Sequence, residues 1–215
     1  MEPILEITNL HKEYEGFALK DISFTLQRGF IMGFIGPNGA GKSTTIKLIL
    51  NLINRDGGVI RVFGMDNIKY ETQVKNRIGF VLDENFMYDE LTVREMKNII
   101  ASFYKRWDDK TFDNYMKKFE LPYNKKIKEL SKGMKVKFSL AAALSHNAEL
   151  LILDEPTSGL DPVVRNELMD ILSDVIQDEN KAIFFSTHIT SDLDKIADYV
   201  TFINNGEVIF STAKD

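Results

Sequence analysis

The sequence predicts an α/β fold in which helices pack on a sheet of mixed parallel and antiparallel strands. Short β-branched or aromatic runs alternate with longer segments of helical period, the pattern of strands joined through helices. The run Leu150-Leu151-Ile152-Leu153 has no polar alternation, as expected of a central strand buried on both faces. A glycine-rich stretch stands between an apolar run at 31–35 and a helical run at 44–53.

In chain order, strands are expected at 4–9, 21–26, 31–35, 59–63, 78–82, 150–153, 182–186, 199–203 and 207–210. The last two flank Asn204-Asn205-Gly206, a hairpin turn signal, because Asn and Gly accept the positive φ that such turns need. Between the strands at 78–82 and 150–153 the pattern changes to helices at 92–106, 110–120 and 132–145, which reads as a helical insertion. Its charge differs too. Residues 97–137 hold 12 Lys or Arg against 5 Asp or Glu, a net of +7, which leaves −12 for the rest of the chain. That excess fits either a solvated helix face or a surface that meets an acidic partner or lipid headgroups.

At 215 residues, 44% hydrophobic and 27% charged, the composition is that of one globular domain with a proper core. No apolar run approaches the roughly 18 residues of a membrane-spanning helix. With no cysteine, disulfides, thiolate metal sites and cysteine nucleophiles are excluded. The net charge of −5 argues against a globally basic nucleic-acid binder, and the start Met1-Glu2-Pro3 carries no signal-peptide pattern, which points to the cytosol.

Gly36-Pro37-Asn38-Gly39-Ala40-Gly41-Lys42-Ser43-Thr44 contains G-x-x-x-x-G-K-S between its strand and its helix. The glycines let consecutive N–H groups point inward, and the helix adds its positive end, so a polyphosphate is held by main chain. Lys42 is placed to reach β and γ phosphates, the Ser43 hydroxyl to ligate Mg²⁺, and Thr44 to donate to the α phosphate. The buried strand at 150–153 ends in Asp154-Glu155-Pro156. There Asp154 would hold the Mg²⁺ shell and Glu155 would polarise the attacking water as general base. His188, after the strand at 182–186, reads on its own as a structural histidine, although one ring nitrogen could reach a γ phosphate.

These motifs together resemble the ATP-binding subunits of ABC transporters. Leu130-Ser131-Lys132-Gly133-Met134 resembles the family's signature, 23 residues before Asp154; Ser158-Gly159-Leu160-Asp161 resembles its D-loop, and His188 lies at the switch-histidine position. The resemblance implies a P-loop NTPase core of mixed parallel and antiparallel sheet at 1–83 and 149–215, with an inserted ABC helical subdomain at 84–148. It implies ATP and Mg²⁺ as cofactors and a head-to-tail dimer, homodimeric or heterodimeric. In that dimer Ser131 and Gly133 of one subunit close on the phosphate held by Lys42 of the other, and Asp161 communicates between the sites. Tyr14 matches the aromatic that stacks on adenine, with an edge-strand structural role as the alternative. In the Q-loop, Asp83 stands where Gln normally contacts metal and water; it can ligate Mg²⁺ but cannot donate a hydrogen bond when ionised. The signature carries Lys132 and Met134 where Gly and Gln are common, a form similar to that of ABC-2 exporters. By resemblance, the chain is expected to power export through a separate transmembrane permease, peripheral on the inner face of the cell membrane, with no nucleic acid as partner. The apolar Phe86 and Tyr88 would either receive a helix of that permease or pack within the subdomain. Chains of this type often continue beyond the terminal hairpin, so a C-terminal extension past Asp215 is expected. The competing reading is a soluble ABC ATPase acting on ribosomes or DNA; a P-loop kinase leaves the signature and D-loop unexplained.

Overall fold

The computed structural model describes residues 2–82 and 87–214. The chain opens with the antiparallel hairpin β1 (Leu5–Tyr14) and β2 (Phe17–Leu26), in which Tyr14 pairs with Phe17. Both strands run beyond the expected 4–9 and 21–26. Charged residues interrupt the apolar alternation there, but cross-strand pairing carries the ladder to the turn, and Lys12 is held by Asp56 at 3.0 Å. β3 (Ile31–Ile35) leads into α1 (Lys42–Ile49). This helix starts and stops earlier than expected, because Gly41 caps it at φ 110° and Asn51 leaves it at φ 51°. β4 (Gly57–Val62), the two-residue β5 (Met65–Asp66), α2 (Glu71–Lys75) and β6 (Ile78–Val81) follow.

Helices α3 (Val93–Phe103), α4 (Asp109–Lys118) and α5 (Lys132–Ser145) come next, with a 3₁₀ turn at Ile127–Glu129. Thr92 begins α3 with a full capping box, its hydroxyl accepting from Glu95 N–H while the Glu95 carboxylate accepts from Thr92 N–H. The chain then alternates: β7 (Leu150–Asp154), α6 (Pro162–Val175), β8 (Ala182–Thr187), α7 (Thr190–Ile196), β9 (Tyr199–Asn204) and β10 (Glu207–Ala213). The expected hairpin joins β9 to β10, with Asn205 and Gly206 both at positive φ.

Two sheets result. A four-stranded antiparallel sheet has the order β2-β1-β4-β5, and a six-stranded sheet has the order β10-β9-β3-β8-β7-β6, parallel except for β10. Each face of β7 fills a different core. Leu150 and Ile152 join Phe24, Phe34 and Phe184 between the sheets, with ring centroids 5.3–5.5 Å apart, while Leu151 and Leu153 pack with α5 and α6 on the other side. Because β8 lies between β3 and β7, the carboxyl ends of three neighbouring parallel strands open at one edge of the sheet, the usual place for a ligand in α/β folds. The register keeps them level: Ile35 is opposite Thr187, and Asp154 is opposite Ser186.

Candidate nucleotide and hydrolysis site

The loop of residues 36–41 leaves β3 and re-enters as α1. Gly41 cannot carry a side chain, since a Cβ there would lie 2.4 Å from the Leu19 side chain and 3.1 Å from the Phe17 ring. That contact also brings the tip of the first hairpin against the loop. Tyr14 is opposite Phe17 in that hairpin and 44% exposed, with Lys12 Nζ 5.3 Å from its ring centroid. Pro37, Asn38, Gly39 and Ser43 are exposed, Thr44 is half-buried, and Gly36 and Ala40 are buried. Lys42 is buried. Its ammonium donates to Gly36 O at 2.8 Å and Pro37 O at 3.2 Å, and Glu155 Oε1 lies 3.2 Å away. That ion pair lacks the alignment of a hydrogen bond, so Glu155 Oε1 is buried with no hydrogen-bond partner.

Asp154 ends β7 almost fully buried, and Glu155 turns out of the strand at φ 48°. A non-glycine residue at positive φ needs outside support. Here Glu155 N–H donates to Ser186 Oγ at 3.0 Å and to Ser186 O at 3.2 Å, while Ser186 Oγ donates to Asp154 Oδ1 at 2.6 Å. From the far end of β8, His188 places Nδ1 2.8 Å from Glu155 Oε2, so its ring is oriented by the carboxylate and the other nitrogen is left to face outward. Lys42, Glu155 and His188, from three separate strand ends, thus form one connected group.

The loop after β7 is fixed from below. Thr157 Oγ1 donates to the buried Asp192 at 2.7 Å, and Arg165 Nε donates to the same carboxylate at 2.6 Å, which ties residues 157–161 to α6 and α7. Asp161 is the N-cap of α6, accepting from Val163 and Val164 N–H. Ser131 is the N-cap of α5, accepting from Met134 N–H, and its own hydroxyl proton remains available to a ligand. Gly133 fits tightly: a Cβ would lie 2.9 Å from Val164. The Lys132 side chain comes within 3.9 Å of the Cβ position of Gly159. Gly133 is thus buried while Ser131 and Asp161 are exposed, and among the described residues no hydrogen bond or ion pair joins the three to residues 36–44. Asp83 and Phe86 lie outside the described residues; Tyr88 is exposed.

A cleft of about 480 Å³ runs from Asp154 and Glu155 past Lys132 and Ile100 to Tyr104 and His146. His146 stacks on Tyr104 at 3.7 Å, and burial lowers its pKa, so it serves packing.

Residues 19–158 match the family described as ABC transporter. The chain belongs to that family. The ABC relatives include the bacitracin transport ATP-binding protein BcrA of Bacillus licheniformis, 35% identical over 212 residues, or 97% of this chain and 69% of that protein. The ATP-binding protein NatA of Bacillus subtilis is also 35% identical, covering 91% of this chain and 82% of its own. A solved ATP-binding subunit of an ABC transporter superposes with a TM-score of 0.88 at 28% identity, covering 99% of this chain and 90% of that one. This ABC subunit is an ATPase of the transporter type, and no helix among its described residues is long and apolar enough to cross a membrane.

Ser186, Thr157, Asp192 and Arg165 belong to none of the sequence motifs. The one available signal is a serine closing the otherwise apolar run at 182–185.

Proposed function

We propose that this ABC subunit hydrolyses ATP at a site built from Lys42, Glu155 and His188 and uses ATP-driven closure of a head-to-tail dimer to power export through a separate transmembrane permease. The observation that carries the reading is the connected Lys42–Glu155–His188 group at the carboxyl ends of β3, β7 and β8. ATP would lie with its phosphates along residues 36–44 and its base against Tyr14. The water oxygen bonds to the γ phosphorus as the bond to the β,γ-bridging oxygen breaks. ADP departs with that oxygen, and Glu155 takes the proton of the water. His188 orients Glu155, and Lys42 offsets charge on the phosphate.

The donor set fits Mg²⁺. Ser43 offers a hydroxyl and Asp154 a carboxylate, and among the described residues no group of three or more acidic or histidine side chains gathers into a metal cage of its own. Mg²⁺ takes few protein oxygens and completes its shell with phosphates and water, and when bound it neutralises charge on the phosphate oxygens. Asp83 would be a secondary contact.

Because the starts of α5 and α6, with Ser131 and Asp161 exposed, make no hydrogen bond or ion pair with residues 36–44 among the described residues, Ser131, Gly133 and Asp161 would suit the phosphate held by a second subunit, homologous or identical. The helix N-terminus behind Ser131 favours an anion there. Residues 84–148 would form the helical subdomain that meets the permease, and 1–83 with 149–215 the nucleotide core, held peripherally at the inner face of the membrane. The relative named for bacitracin transport supports export.

The test is affinity purification from native membranes together with phosphate release. Co-purification of a multi-span membrane protein and Lys42-dependent release of phosphate are expected; recovery with ribosomes or DNA and no membrane protein would replace the transport reading with the soluble one.

A further inference from the structure

Ser186 is fully buried in β8 after the apolar run 182–185, in a place where a hydroxyl costs desolvation unless it is bonded. Both sides of that hydroxyl are used, and both go to the two acidic residues of the hydrolysis site. Its proton goes to Asp154 Oδ1 at 2.6 Å, and its oxygen accepts from Glu155 N–H at 3.0 Å. The residues it joins are 32 and 31 positions away and meet it only because β7 and β8 pair in register, Asp154 opposite Ser186.

We infer that Ser186 is a positioning residue for ATP hydrolysis, which sets the rotamer of the Asp154 carboxylate and holds Glu155 in the backbone conformation that aims its carboxylate at Lys42 and His188. The inference rests on the hydrolytic reading of that site. Two constraints make the hydroxyl specific. Glu155 stands at φ 48°, which an L-residue adopts only when its surroundings impose it, and Ser186 supplies both acceptors of its N–H. On the Asp154 side, the proton donated at 2.6 Å engages one carboxylate oxygen and so favours one direction for the other. An alanine would keep the strand, its packing and the backbone bond from Glu155 N–H, but would remove the proton given to Asp154 and the hydroxyl acceptor of Glu155 N–H. A carboxylate and a base held less firmly would still bind nucleotide through residues 36–44, but would spend less time in the arrangement that hydrolyses it.

The test compares the whole chain with Ser186→Ala, Ser186→Thr and Ser186→Cys. Phosphate release gives kcat and KM for ATP, nucleotide titration with and without Mg²⁺ gives affinity, and thermal melting gives stability. For Ser186→Ala the expected result is a kcat lower by about 10- to 100-fold with KM within about threefold. The gain in ATP affinity that Mg²⁺ confers should shrink, while metal-free affinity stays that of the parent. Threonine, which keeps the hydroxyl, should recover kcat to within a few-fold, and cysteine, a weak donor of similar size, should fall between. The inference is overturned if alanine leaves kcat within twofold and the Mg²⁺ effect intact. It is equally overturned if the activity of all three variants tracks their melting temperature alone, with cysteine no better than alanine. Failure of the hydrolytic reading looks different: the parent chain itself would release no phosphate beyond a Lys42→Ala control.

Discussion

Glu149 shows how single residues hold the base of the sheet, at the end remote from the nucleotide loop. Arg77 grips it bidentately, Nε and Nη2 each at 2.7 Å, and Arg28 adds a third bond at 3.1 Å, while Arg77 also lies 3.8 Å over the Phe63 ring. Glu149→Gln should lower stability by about 2 kcal/mol, measured by denaturant melts at neutral pH. Arg77 first, then Arg28, hold the Glu149 carboxyl below its ordinary range against the opposing effect of burial. The unfolded chain therefore binds this proton more readily than the folded one. The stabilisation is complete above the ordinary glutamate value of about 4.3 and is lost as pH falls through the lowered folded value. The gap between parent and variant should accordingly close in melts taken at increasingly acid pH. At this scale the sequence was legible where chemistry is written contiguously. Residues 36–44 and the Asp154-Glu155 pair can be read directly, because each motif carries its own strand and turn. Ser186 and Asp192 were not, because a serine or aspartate gains its meaning from a partner about 30 residues away, and only strand pairing or helix docking supplies that partner.

Elements were legible in proportion to how far apolar pattern alone decides them. β3, β6, β7 and β8 appear close to their expected positions because they are short apolar runs buried in the six-stranded sheet. The distal halves of β1 and β2 lie outside the expected strands because Lys12 and Glu13 break the apolar alternation of β1, and pairing with Leu19 and Ala18 carries the hairpin ladder to the turn. α6 lies outside the expected elements although Asp161-Pro162 is a helix start, with an N-cap side chain followed by proline in the first turn. Two substitutions measure the elements. Phe184→Ala should cost about 3–5 kcal/mol, since its ring packs on Phe24 and Phe34 where the two sheets meet. Thr92→Ala removes one half of the α3 capping box and should cost about 1 kcal/mol. Chemical denaturation of both variants checks the order of these effects; a Thr92 effect larger than that of Phe184 would mean that the helical segment, not the sheet core, limits stability.

For the whole molecule, the uneven charge along the sequence is partly answered within the fold. Lys137 pairs with Glu167 at 2.7 Å, Lys118 with Asp174 at 3.3 Å and Arg106 with Glu149 at 3.8 Å, so basic residues of the helical segment meet acidic residues of the flanking core. These contacts are exposed or half-exposed, and each contributes little to stability. They nevertheless favour the plainer reading of the +7 stretch as a solvated face that matches its own neighbours. Ser131 and Asp161 are exposed and, among the described residues, make no hydrogen bond or ion pair with residues 36–44, and this is where the proposed mechanism needs a second subunit. The most direct measurement is sedimentation or size-exclusion chromatography of Glu155→Gln with ATP and Mg²⁺. Removal of the base should leave nucleotide binding in place and block hydrolysis, so a stable dimer is predicted, absent with ADP and absent in the Lys42→Ala, Glu155→Gln double variant. A Glu155→Gln chain that binds ATP and remains monomeric at every concentration would contradict closure of two such chains around shared nucleotide.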